Sequence, residues 1–168
     1  MSKGQDAARL PEAGEGKRGE AGHLGYLLRQ AAHAHRIRMD QALGDLGLTQ
    51  PQFAALTMLA AYPGQSNADL ARLALLTPQT MSVIVANLLK AGLVGRVPHK
   101  VHGRIQTLGL TEDGQRQLQA ARGRVRGLEA QMLGLLADAE ESVIRRWLVG
   151  VATGPDGSDG SSSDQAGE

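Results

Sequence analysis

Between Thr77 and Lys90 the chain sets Gln79, Thr80, Ser82, Val83 and Asn87 on one side of a helical repeat, with no side chain among them larger than glutamine. An amide donates and accepts at once, and a hydroxyl does either. Groups this short let a helix approach the base edges of a DNA major groove, where Gln reads adenine bidentately and a Val or Thr methyl meets the thymine methyl. Taken alone, the same residues describe an ordinary solvated helix face. Cations follow closely: from Lys90 to Arg126 there are eight bases, among them Arg96, Lys100 and Arg104, against two acids, Glu112 and Asp113. That surplus fits a polyphosphate partner. Arg96 and Lys100 most simply meet phosphates.

Other chemistries find less support. There is no cysteine, which excludes a disulfide scaffold, a thiolate metal site and thiol redox sensing. His33 and His35 are two apart on a helix and face different sides. His99 and His102 could share an ion, but two imidazoles without a nearby carboxylate make a weak site. Ser66 and Ser82 belong to helix starts and faces, and the serines of 158–163 lie in a tail. No glycine-rich phosphate loop follows a strand. The expectation is a protein that is not an enzyme and takes no metal or cofactor. His35 stands apart, between Ala31 and Met39 on the first helix's apolar stripe. It is either a satisfied interface histidine or, with Met39, part of an effector cavity.

These residues need a scaffold, and the 168-residue chain supplies one with 42% hydrophobic and only 2% aromatic residues. Leu, Val, Ile, Met and Ala must therefore form the core. Charge divides the chain. Residues 1–20 hold four bases and four acids among Gly, Glu, Ala and Pro, and residues 152–168 hold four acids in a Gly/Ser-rich stretch. Both read as disordered tails. What remains, 21–151, carries 14 bases and 9 acids. No apolar run approaches the roughly 20 residues of a membrane span, and no secretory signal is visible. A cytoplasmic protein without membrane association is expected.

Periodicity fills in the elements. Leu24, Leu28, Ala31, Met39, Ala42 and Leu46 describe a first amphipathic helix. Thr49 with Gln52 is a capping box, Pro51 sits in the first turn, and Pro63-Gly64 ends the second helix. Ser66 to Asp69 opens a short helix through Leu70, Ala71, Leu73 and Ala74. Thr77-Pro78 opens the next, which stops at Ala91-Gly92. Met81, Ile84, Val85, Leu88 and Leu89 form its inward stripe. Two short helices with a tight connection make a helix-turn-helix candidate. Leu93–Val97 and Arg104–Leu110 read as the strands of a hairpin, and Leu110-Thr111-Glu112-Asp113-Gly114 then caps a long helix. Leu118, Ala121, Val125, Leu128, Met132 and Leu135 run along that helix as a coiled-coil-type seam. A last helix, about 138–151, carries Val143, Ile144, Trp147 and Leu148. Such end surfaces have nowhere to be buried within one small unit, and a second copy is the simplest cover. The expected dimerisation residues are Leu24, Leu28, Leu128, Met132, Leu135, Val143, Ile144, Trp147 and Leu148.

Three segments, in this order and spacing, resemble the MarR family of bacterial transcription regulators. They are Leu48-Thr49 with Gln52; Leu70-Ala71 leading to Thr77-Pro78-Gln79-Thr80-Met81-Ser82; and Gly92-Leu93-Val94, then Gly103-Arg104 before Leu110-Thr111-Glu112-Asp113-Gly114. The resemblance covers about residues 22–150. It implies a mainly α fold with a small two-stranded β-wing, a winged helix-turn-helix whose DNA-binding core spans about 48–111. It also implies a homodimer held by its N- and C-terminal helices, binding pseudo-palindromic double-stranded DNA, commonly as a repressor. Many members take a small, often aromatic effector. By the same resemblance Thr77, Gln79, Thr80, Ser82, Val83 and Asn87 face DNA, with Arg96, Lys100, His102 and Arg104 on the wing. Arg104 matches the family's minor-groove arginine. Two departures stand out. Val83 replaces a frequent arginine, and His102 stands where an aspartate often steadies the wing arginine. The competing expectation is a winged-helix module that binds another protein through the same face. The basic surplus favours DNA.

Overall fold

The computed structural model describes residues 9–98, 106–137 and 139–154. Six helices and one hairpin follow in order: α1 (Leu24–Gly44), α2 (Gln50–Ala61), α3 (Asn67–Leu73), α4 (Pro78–Lys90), β1 (Val94–Pro98), β2 (Gln106–Leu110), α5 (Glu112–Leu133) and α6 (Glu140–Thr153). The chain forms two compact units, one ending at Arg126 and the other beginning at Gly127.

In the first unit Leu43, Leu56, Leu70, Met81, Leu88 and Leu118 are fully buried, so each of α1 to α5 contributes to one aliphatic core. α2, α3 and α4 each start on a side-chain cap. Thr49 accepts from the Gln52 amide N–H while the Gln52 side chain accepts from the Thr49 N–H, a reciprocal capping box. Ser66 and Thr77 cap α3 and α4 in one direction only, their hydroxyls accepting from the N–H groups of Asp69 and Thr80. At the start of α3 the Asp69 carboxylate accepts from the Ser66 hydroxyl. α3 and α4 meet at 106°, within the range of a helix-turn-helix. No single helix among the described residues is long and apolar enough to cross a membrane.

β1 and β2 pair antiparallel, with Val94 opposite Leu110 and Pro98 opposite Gln106. The first strand is thus shifted by one residue from the expected Leu93–Val97, because the Leu93 N–H is taken by the Leu88 carbonyl at the end of α4. The second strand is described from Gln106 onward.

The second unit holds the C-terminal part of α5 and all of α6. α5 stops at Leu133, before Gly134, so Leu135 lies in the following turn and is 82% exposed rather than completing the expected helical seam. The 3-4 spacing continues through Gly134, but glycine is a poor helix continuer. α6 has no buried residue. Its Val143, Ile144, Trp147 and Leu148 are all exposed, as are Val149 and Val151.

Residues 9–20 carry local structure that composition did not suggest. A single 3-10 turn, Gly16–Arg18, leads into α1. There Arg18 donates to the Gln30 side-chain oxygen over 3.3 Å, and the Gln30 amide donates back to the Arg18 carbonyl over 3.0 Å. The Glu12 N–H and the Arg9 guanidinium hold the Glu15 carboxyl below its ordinary value.

Candidate nucleic-acid interface

α4 sorts its side chains by its own periodicity. Met81, Ile84, Val85 and Leu88 turn into the core, with Leu89 half-buried beside them. Gln79, Thr80, Ser82, Val83, Asn87 and Lys90 are exposed on the other side, Val83 at 62%. The inward and outward sets are those that the spacing predicts.

Two of the outward groups are held internally. The Thr77 and Thr80 hydroxyls lie 2.8 Å apart, and Ser82 donates to the Pro78 carbonyl over 2.9 Å. Thr80 and Ser82 thus sit in fixed rotamers, and the Ser82 oxygen keeps its acceptor capacity. Gln79 and Asn87 are exposed on the same face, with no side-chain hydrogen bond to hold them among the described residues, so these amides are its adaptable hydrogen-bonding groups. The apolar one is Val83. The N-terminal turn of α4, where Pro78 brings no N–H and Thr77 takes those of Thr80 and Met81, is the positive end of the helix dipole.

Behind α4 the hairpin root is built from unusual closeness. The Thr111 hydroxyl donates to the Gly92 carbonyl over 2.7 Å and accepts from the Gly114 N–H over 3.0 Å. The Thr111 N–H donates to the Leu93 carbonyl. A Cβ on Gly114 would lie only 1.9 Å from that same carbonyl oxygen. Leu110-Thr111-Glu112-Asp113-Gly114 is therefore one joint, fastening the end of α4, the first strand and the start of α5.

On the hairpin, Arg96 is exposed opposite Leu108. Lys100, His102 and Arg104, like His99, lie outside the described residues. Below the wing, a pocket of about 340 Å³ is lined in part by Asn67, Ser82, Val85, Arg96 and Leu108. The Asn67 Oδ1 is buried there without a hydrogen-bond partner. The pocket has no local sign in the sequence, because its walls come from α3, α4, β1 and β2.

The two residues expected at an effector cavity part company. Met39 is 4% exposed and belongs to the core, whereas His35 is half-buried and its Nδ1 has no hydrogen-bond partner. Thr57 Oγ1 on α2 is buried and unpartnered as well. No group of three or more His, Asp or Glu among the described residues is placed to hold a metal ion. Of the residues expected at a dimer surface, Leu24 is exposed, Leu28 and Leu128 are half-buried, and Met132 is exposed.

Comparison with known proteins agrees with this geometry. A model described as the MarR family matches residues 46–105, the stretch from just after α1 to just before β2. The HTH-type transcriptional repressor Rv2887 of Mycobacterium tuberculosis is 38% identical over 125 residues, covering 74% of this chain and 90% of the relative. The crystal structure of Rv2887 in complex with DNA superposes with a TM-score of 0.63 at 35% identity, over 77% of this chain and 98% of that one. Its complex with salicylic acid superposes with a TM-score of 0.63 at 37% identity, over 79% and 98%. By fold, by the order of its capped helices and by this extent of likeness, the chain belongs to the MarR family.

Proposed function

We propose that this protein is a ligand-responsive transcriptional regulator, a repressor, that binds pseudo-palindromic double-stranded DNA as a homodimer in the cytoplasm. The observation that carries the reading is α4: an exposed face of Gln79, Thr80, Ser82, Val83 and Asn87 on a helix whose other face is locked into the core. Short side chains on a rigid rod are what close entry into a major groove demands. Thr77 holds the start of that rod. Arg96, Lys100 and His102 meet the backbone and Arg104 the minor groove, where enhanced negative potential favours a guanidinium. The complex of Rv2887 with DNA supports the same use of the fold.

A second copy covers the apolar faces of α1 and α6. Leu24 and Leu28 on the one, and Val143, Ile144, Trp147 and Leu148 on the other, are its contacts, with Leu128, Met132 and Leu135 beside α6 in sequence. An exposed tryptophan among four or more aliphatic side chains on a single helix is costly unless covered. The effector is a small aromatic acid of the kind bound by Rv2887, received near His35. It acts by binding more tightly to the form of the dimer that fits DNA poorly.

Selection of duplex from sheared genomic DNA, followed by a gel shift with and without about 200 mM salt, tests the reading. A symmetric selected sequence whose binding weakens with salt is the expected result. A protein that selects no duplex is a different kind of winged-helix protein.

A further inference from the structure

Leu75 is the one non-glycine residue with positive φ among the described residues, at +57°, and it is 92% exposed. It ends α3. The Leu76 N–H donates to the Ala71 carbonyl over 2.8 Å and the Leu75 N–H to the Arg72 carbonyl over 3.2 Å. These are the two bonds of a Schellman motif, and Leu75 fills the left-handed position that glycine usually takes. Elsewhere the chain uses glycine for this purpose. Gly47, Gly64, Gly92 and Gly154, after α1, α2, α4 and α6, all have positive φ. A branched side chain in this conformation is strained, and here no burial offsets the strain. Folding therefore does not account for a leucine at 75.

Its position suggests what does. Leu75 lies two residues before Thr77, the cap of α4, at the end of the helix where Gln79, Thr80 and Val83 begin the exposed face. We infer that Leu75 is a specificity-determining residue that reads a thymine 5-methyl group at the edge of each half-site, adding an apolar contact beside those of α4. The inference rests on the DNA-binding function proposed above. A thymine methyl is the only apolar group that the major-groove edge of a base pair presents, which makes it the natural partner for an aliphatic side chain held out into solvent.

The test compares the wild-type chain with Leu75→Gly and Leu75→Asn on the duplex that the wild-type chain selects. Each thymine in turn is replaced by deoxyuridine, which removes only the methyl. The wild-type protein loses roughly fourfold in affinity at one or more thymines that both variants ignore. Both variants bind the unmodified duplex correspondingly more weakly, while their thermal midpoints rise by roughly 2–4 °C as the strain is relieved. The same uracil profile in all three proteins overturns the inference while leaving the DNA-binding reading intact, whether or not affinity falls uniformly. A midpoint that does not rise overturns it too, since Leu75 would then not be strained. A wild-type chain that selects no duplex removes both the reading and the inference.

Discussion

The Thr111 hydroxyl donates to the carbonyl oxygen of Gly92 over 2.7 Å, joining residues 19 apart in sequence. One side chain thereby fixes where α4 stops and where α5 begins, with the hairpin between them. Because the same oxygen also caps α5 by accepting from the Gly114 N–H, Thr111→Ala removes two hydrogen bonds at once. We expect a loss of about 1–2 kcal/mol, read as a lower urea midpoint with an unchanged slope. Thr111→Ser retains the hydroxyl and most of the stability.

Gly114 has no room for a side chain, since a Cβ would come within 1.9 Å of the Leu93 carbonyl oxygen. That obstacle is backbone and cannot rotate away. Gly114→Ala should cost about 3 kcal/mol, seen in thermal melts, whereas Gly123→Ala on the same helix meets nothing within 4 Å and should stabilise slightly. Equal melting points for the two variants would show that the joint yields.

Gln79→Ala and Arg104→Ala should each weaken operator binding by about tenfold or more without changing the unfolding midpoint. The two differ in their salt response. Arg104→Ala lowers the slope of log affinity against log salt by about one if the guanidinium neutralises a phosphate charge, and Gln79→Ala leaves it unchanged. Anisotropy titrations at several salt concentrations separate these effects.

On the proposed effector site, His35→Ala should abolish release of operator by the effector while leaving binding in its absence intact. The unpartnered Nδ1 of His35 is the motive for this expectation. A response equal to that of the wild-type chain would move the effector to another place, and the pocket beneath the wing beside Arg96 is where to look next.

How far the sequence spoke depended on whether a signal was local. Helix starts were legible because capping is decided within four residues: Thr49 with Gln52, Ser66 with Asp69 and Thr77 with Thr80 all behave as their types suggest. The division of α4 into inward and outward faces was legible for the same reason. Leu75 was not, because nothing in a leucine announces a left-handed conformation. The end of α5 was overrun because Leu135 keeps the seam's spacing after Gly134 has broken the helix. Gly114 was visible as part of a motif, but the Leu93 carbonyl whose closeness requires it belongs to the link between α4 and β1, about 20 residues away. The turn at Gly16–Arg18 depends on Gln30, a partner that composition cannot foresee. The pocket beneath the wing is assembled from four elements and has no local sign.

In the proposed complex two copies of the chain present two α4 helices to one duplex, and sedimentation equilibrium counts the chains. The wild-type protein alone should sediment at twice its 17.7 kDa chain mass, and with the selected duplex as two chains per symmetric site. Trp147→Asp should shift the free protein towards the single-chain mass and weaken the complex in step. A wild-type protein that stays at the single-chain mass and sediments independently of any duplex would contradict the account.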